Sequence, residues 1–248
     1  MNTHEALLGR RCLLAGTIDT TLVGVGAALV AAGAEVMAAE SPLWGDLVTE
    51  AVQLEADDPA ALATDLRAIE PPDVLVIQAG WRERGRFLDS TPQDWAAALT
   101  QNFEAPVYLS QAVARRMIEA GKGGRIIFLS RVEGVMPFEE MGTAGTTLTM
   151  LTAMARMMAV DLARYGITVN VVTVGWMDSG RLANFGAATQ QHILEGIPAG
   201  QAGTPADVGA AVCFLASAAA GYVTGVNMTV DGGYLLTRAG GRTMFEGG

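Results

Sequence analysis

Six short, almost uninterrupted apolar runs recur every few tens of residues along this 248-residue chain. They are Arg11–Ala15, Glu35–Ala39, Val74–Gln78, Arg125–Leu129, Thr168–Val174 and Asn227–Val230. Stretches of helical period separate them, near residues 21–32, 59–69, 92–120, 143–164 and 205–218. A strand that is apolar on both faces has to be covered on both faces. Helices between successive strands supply the cover and make each connection a parallel crossover. The pattern predicts an α/β architecture, a doubly wound parallel sheet, built as one domain over residues 1–248. Thr91-Pro92 and Thr204-Pro205 each set a capping hydroxyl before a first-turn proline and mark two helix starts.

Composition narrows the function classes. Half of the residues are hydrophobic and 17% are charged, enough for a large core and too apolar for a disordered chain. A formal net charge of −10 opposes binding to nucleic acid or an anionic membrane surface, so neither partner is expected. Cys12 and Cys213 lie in apolar segments and read as buried thiols rather than a disulfide. The most apolar stretch, residues 21–39, contains Gly33 and Glu35 and reads as helix, turn and strand, not as a membrane span. No basic start followed by a long apolar core opens the chain, and a cytoplasmic protein is expected.

The second half carries a family resemblance. Gly203-Thr204-Pro205-Ala206-Asp207-Val208, Phe214-Leu215-Ala216-Ser217, Thr224-Gly225 and Val230-Asp231-Gly232-Gly233 follow one another in order. Upstream stand Asp73-Val74-Leu75-Val76-Ile77-Gln78-Ala79-Gly80, Trp95, Asn102, Gly124-Arg125-Ile126-Ile127-Phe128-Leu129-Ser130 and Val169-Asn170-Val171-Val172. Together these resemble the short-chain dehydrogenase/reductases, over nearly the whole chain and at that family's spacing. The resemblance implies a Rossmann-like sheet and a nicotinamide dinucleotide site.

The dinucleotide turn is altered. A phosphate-binding turn uses one glycine for the tight bend, one for backbone approach to the pyrophosphate and one for close helix–strand packing. Gly16 keeps the first place. Aligned without gaps from Gly33-Ala34-Glu35-Val36, the other two fall on Thr20 and Leu22. The alternative uses Gly24 and Gly26, but puts seven residues after Gly16 instead of three. That leaves about seven residues for the helix, against roughly 11–12 in an average one. The ungapped reading is preferred, with Gly24 and Gly26 as small residues in the first helical turns. Glu40 falls where an acid holds the adenosine ribose of NAD in the family, and equally suits a plain exposed strand end. Gln78 and Ile77 replace the asparagines of the family's Asn-Asn-Ala-Gly, and Val174 the proline before Gly175. The expectation is that this chain binds no cofactor of its own, with Gly16, Glu40, Ala79, Gly80 and Asn102 as remnants of the site.

The catalytic positions are altered too. In the family a serine polarises the substrate oxygen, and a tyrosine thirteen residues later transfers the proton. A lysine four residues further shares the tyrosine's helix face and lowers its pKa. Counting from the strand puts the serine position at Arg131. Counting back from Ala159-Val160-Asp161-Leu162-Ala163 puts the other two at Ala144 and Leu148. The four tyrosines, Tyr108, Tyr165, Tyr222 and Tyr234, are followed four places on by Ala112, Val169, Val226 and Arg238, and Lys122 is the only lysine. No catalytic residue is therefore expected. Ser130 neighbours Arg131, but adjacent strand residues point to opposite faces. His4 and His192 have no ligand companions at useful spacing, so no metal is expected. Arg131 with Asp178 reads as a structural ion pair or solvated charges, or else as an anion or acyl-ligand site.

What remains are assembly segments. Helices at 92–120 and 143–164 resemble the pair that packs against a neighbouring subunit in the family. Met150, Met154, Met157 and Met158 form an apolar stripe that suits core and interface alike. Tyr234-Leu235-Leu236 resembles another of the family's inter-subunit contacts. The chain is similar to the inactive partner in two-subunit NAD-dependent hydroxyacyl-CoA dehydrogenases of benzylsuccinate-type toluene degradation. That implies a non-catalytic subunit in a heterotetramer with an active homologue, which would carry the NAD. A stand-alone reductase working without the Tyr/Lys pair and a homo-oligomeric ligand-binding protein stay open as alternatives.

Overall fold

The computed structural model describes residues 6–39, 41–52, 54, 59–80, 85–180 and 182–238. Seven parallel strands form one sheet in the order β3-β2-β1-β4-β5-β6-β7. They are β1 (Arg11–Gly16), β2 (Glu35–Ala38), β3 (Glu50–Ala51), β4 (Val74–Gln78), β5 (Gly124–Arg131), β6 (Ile167–Val174) and β7 (Asn227–Val230). The four middle strands are nearly continuous in buried residues, which is why a run such as Val-Leu-Val-Ile-Gln shows no polar alternation. The doubly wound α/β sheet read from the sequence is the observed one. β3 was not foreseen: two residues paired to Met37 and Ala38 give no detectable sequence period.

Helices cover both faces. On one, α2 (Pro59–Arg67), α4 (Ala105–Ala120) and α5 (Gly142–Leu162) contribute Leu62, Val113, Met117, Leu148 and Leu151 to a core with Leu13, Leu75 and Phe128. On the other, α1 (Thr20–Ala31) and α7 (Pro205–Ala216) pack Leu22, Val25, Val208 and Val212 against Leu14, Val76 and Leu129. Two glycines let α1 and α7 approach this closely. A Cβ on Gly24 would lie 2.2 Å from the Pro205 Cβ, and one on Gly209 would lie 2.5 Å from the Ala28 Cβ. Gly24 is therefore held by helix–helix packing, and Gly26 by Trp44, whose ring a Cβ would meet at 3.3 Å.

The expected helix at 92–120 is broken into α3 (Pro92–Leu99), a π-helical turn Thr100–Glu104 and α4. Two further helices, α6 (Ala187–Glu195) and α8 (Tyr234–Arg238), complete the set. Lys122 sits exposed between α4 and β5, at the amino-terminal edge of the sheet.

Capping at α7 is complete. Thr204 Oγ1 accepts from the Asp207 amide while Asp207 Oδ2 accepts from the Thr204 amide and hydroxyl. These hydrogen bonds hold the Asp207 carboxyl below its usual pKa of 3.8. Because the folded-state value is depressed, this contribution is present above the unfolded value and fades as pH falls through the folded one. Thr204→Ala is expected to cost about 1 kcal/mol at neutral pH. The penalty should shrink below about pH 4, as seen by urea unfolding at each pH.

The methionine stripe divides between inside and outside. Met158 is buried and Met154 packs on the core, while Met157 is 59% exposed, Val160 three residues on is exposed too, and Met150 lies open nearer the start of α5. At 100° per residue the four side chains span an arc of roughly 100°, wide enough to straddle the boundary. Nor is Tyr234 an outward contact. It is buried against Trp176 and Phe138, with ring centroids 6.2 and 6.3 Å away, although Leu236 is exposed.

Candidate active site

In a doubly wound sheet, ligands bind at the carboxyl ends of the strands where the strand order reverses. Here that point lies between β1 and β4. β1 ends at Gly16, φ +93°, where a Cβ would stand 2.1 Å from the Gln78 carbonyl oxygen. The following loop is tied down by Gln78, whose carbonyl accepts from the Thr17 amide and whose Nε2 donates to the Thr17 carbonyl, both at 2.9 Å. α1 begins at Thr20, so the loop is the short, ungapped one. Thr20 and Leu22 then stand in the first turn, with Leu22 fully buried.

Asp19 caps that helix: its Oδ1 accepts from the amides of Thr21 and Leu22 at 2.8 and 3.3 Å. Its Oδ2 meets Arg131 Nη2 at 3.3 Å, and both side chains are less than one-fifth exposed. Arg131 arrives from the end of β5. Its guanidinium lies over Gly80, where a Cβ would come within 3.1 Å of Nε. The ion pair thus crosses the crevice from β5 to the amino terminus of α1. The sequence offered Asp178 as the partner of Arg131. The observed partner lies 112 residues away, and the Asp178 amide donates instead to the Gly203 carbonyl.

The remaining expected site positions lie around the same strand ends. Ala79 and Gly80 follow β4, and Asn102 Oδ1 accepts from the Gly80 amide at 3.1 Å. Asn102 Nδ2 donates to Thr147 Oγ1 at 3.0 Å, tying β4 to α5 through a fully buried side chain. The π-turn places Asn102 for this double contact. Ala144 and Leu148, the positions expected for the family's proton-transfer pair, are both buried. Leu148 packs under the turn Val132–Gly134, where a Cβ on Gly134 would meet its own Cβ at 2.8 Å. Ser130 Oγ is buried without a hydrogen-bond partner and lines the same crevice, as does Ser179. Glu40 and His4 lie outside the described residues; His192 is in α6. Burial pushes the Cys12 thiol up to about 12 and the Cys213 thiol up to about 11, so neither is a ready nucleophile. Among the described residues no group of three or more His, Cys, Asp or Glu could hold a metal ion, and no helix is long and apolar enough to cross a membrane.

Sequence reasoning missed Asp19, Gln78 and Thr147 as organisers of the site. An acid just before a helix is the local signal that could have marked Asp19 as an N-cap. Its second bond, to Arg131, has none.

Comparison with known proteins places these features. A family model described as enoyl-(acyl carrier protein) reductase matches residues 20–235. The 2-dehydro-3-deoxy-D-gluconate 5-dehydrogenase of Escherichia coli K12 is 32% identical over 66% of this chain and 65% of its own length. The chain thus spans about two thirds of that relative. A 3-oxoacyl-[acyl-carrier-protein] reductase of Mycobacterium bovis is 31% identical over 73% of this chain and 75% of its own. Among solved structures, a gluconate 5-dehydrogenase from Burkholderia cenocepacia, in complex with NADP and tartrate, superposes with a TM-score of 0.86. It is 26% identical, over 95% of this chain and 98% of that one. A protein from Agrobacterium tumefaciens with bound NADP gives 0.86 at 27% identity, over 96% and 100%.

The bound NADP corrects the expectation that the chain holds no cofactor. Thr20 and Leu22 replace two turn glycines, but the switch point, Gly16 and the amino terminus of α1 all persist in a fold that carries NADP in these neighbours. The crevice lined by Gln78, Ala79, Ser130 and Gly175 lies at the strand ends where such a ligand binds. The Asp19–Arg131 pair does not fit it, because Asp19 occupies the first amides of α1, where a pyrophosphate meets the first helix in folds of this kind.

Proposed function

Since the chain belongs to the short-chain dehydrogenase/reductase family, an oxidoreductase family, we propose that it serves as a subunit contributing no acid–base group to its assembly. An active homologue beside it supplies the proton transfer. The observation that supports this reading is the burial of Ala144 and Leu148, which puts no ionisable side chain where the family's proton donor and its lysine stand. General acid–base assistance is worth about 10²- to 10⁴-fold, so a chain without it gains most by association. The outer face of α5, with Met150, Met157 and Val160 exposed in one stripe, is the surface proposed to meet that homologue, in a heterotetramer. The resemblance to the inactive partner of two-subunit hydroxyacyl-CoA dehydrogenases extends the proposal to a hydroxyacyl-CoA substrate in aromatic catabolism. A dinucleotide in the crevice, as in the NADP-bearing relatives, would supply a hydride acceptor or donor there; Gly16, Gly80 and Asn102 would frame it.

Co-expression with a family member that keeps the Ser/Tyr/Lys set tests the reading. The two should co-purify, and the partner's activity should fall by at least about tenfold without this chain. Separate elution with unchanged activity sinks the proposal. Turnover of NADPH by the pure chain would instead favour a stand-alone reductase.

A further inference from the structure

We infer that the Asp19–Arg131 ion pair is a latch on the dinucleotide crevice, and that Arg131 turns to the ligand's phosphate when the latch opens. Three observations carry it. First, Asp19 spends one carboxylate oxygen on the two amides at the start of α1, the groups an incoming pyrophosphate would use. A resident carboxylate there both occupies the donors and repels an anion. Second, the other oxygen holds Arg131, the one strong cation lining this crevice among the described residues, and keeps its guanidinium flat over Gly80. Third, Ser130 is 1% exposed and lines the same crevice, and its Oγ is buried with no hydrogen-bond partner, an arrangement that a bound polar ligand would relieve.

The closed pair and a bound dinucleotide exclude each other, so apparent affinity equals intrinsic affinity scaled by the fraction of molecules with the latch open. Once released, Arg131 is a planar five-donor cation suited to bidentate contact with a phosphate. The arrangement therefore sets when the crevice accepts a nucleotide, not whether it can.

Calorimetric titration of NADP, and of NAD in parallel, into the full-length chain tests this without any partner subunit. The result is therefore independent of the heteromer reading. Asp19→Asn keeps a good N-cap while removing the charge that holds Arg131. It should bind the dinucleotide on the order of tenfold more tightly than wild type. Arg131→Met leaves the cap untouched and provides a second approach. With the carboxylate still at the phosphate position and the cation gone, its affinity should stay at or below wild type. Equal affinity of wild type and Asp19→Asn, no binding by Asp19→Asn, or an Arg131→Met protein as tight as Asp19→Asn would each overturn the latch.

Discussion

Leu148→Lys is expected to unfold much of the population rather than restore a proton relay. The side chain at 148 is 1% exposed and sits among Val113, Leu151 and Phe128 in the core under α4 and α5. A lysine there loses a leucine's burial and places an ammonium in an apolar cluster. The cost should be on the order of 4 kcal/mol, a large share of the roughly 5–15 kcal/mol that a domain has in total. Urea unfolding should show a midpoint lowered by more than about 1 M. Leu148→Met keeps volume and polarity and should cost under about 1.5 kcal/mol. A lysine variant as stable as wild type would mean that position 148 reaches the crevice.

Gly16→Val should be nearly as damaging, for a reason of backbone rather than charge. At φ +93° a β-branched residue is strained by about 1–3 kcal/mol. Its Cβ would also stand 2.1 Å from the Gln78 carbonyl oxygen and 2.9 Å from that carbonyl carbon. Main-chain atoms of a central strand cannot rotate away as a side-chain tip can, so β1 and β4 must part. Overpacking adds about 1–3 kcal/mol, giving a total near 4 kcal/mol. The shift is measurable as a lower unfolding midpoint, and also as lost dinucleotide binding, since the same loop leads to the start of α1. Wild-type stability for Gly16→Val would mean that the turn has another accessible conformation.

The sheet was legible because each central strand is apolar on both faces, a pattern that few other architectures can bury. Helix starts at Pro92 and Pro205 were equally plain, written in Thr-Pro with Asp three residues after each threonine. The π-turn was not. Thr100–Glu104 has the composition of any helix surface, and only the contacts of Asn102 with Gly80 and Thr147, 22 and 45 residues away, explain the extra residue in the turn. Gly24 was read as a small helical residue; its cause, Pro205, lies 181 residues downstream. Arg131, Ala144 and Leu148 are assigned by counting from family-like motifs in β5 and α5. What the sequence could not supply was the direction of the Arg131 side chain. It pairs across the crevice with Asp19, and no local pattern couples two charges on different elements. The loss of nucleotide binding was over-read for a related reason. Glycines were counted in one turn, while the features that keep the site in place are the strand reversal and a helix start.

The lone lysine has a practical consequence. Lys122 is exposed in the short loop leading into β5, whereas the crevice opens at the far end of that strand, beyond Arg131. The positive side chains elsewhere are arginines, which do not react with the usual amine-directed reagents. A dye or surface linker aimed at side-chain amines would therefore attach at one known place. It would leave the molecule oriented with its crevice outward, and a fluorophore at Lys122 would stand clear of the end of the sheet where the crevice opens.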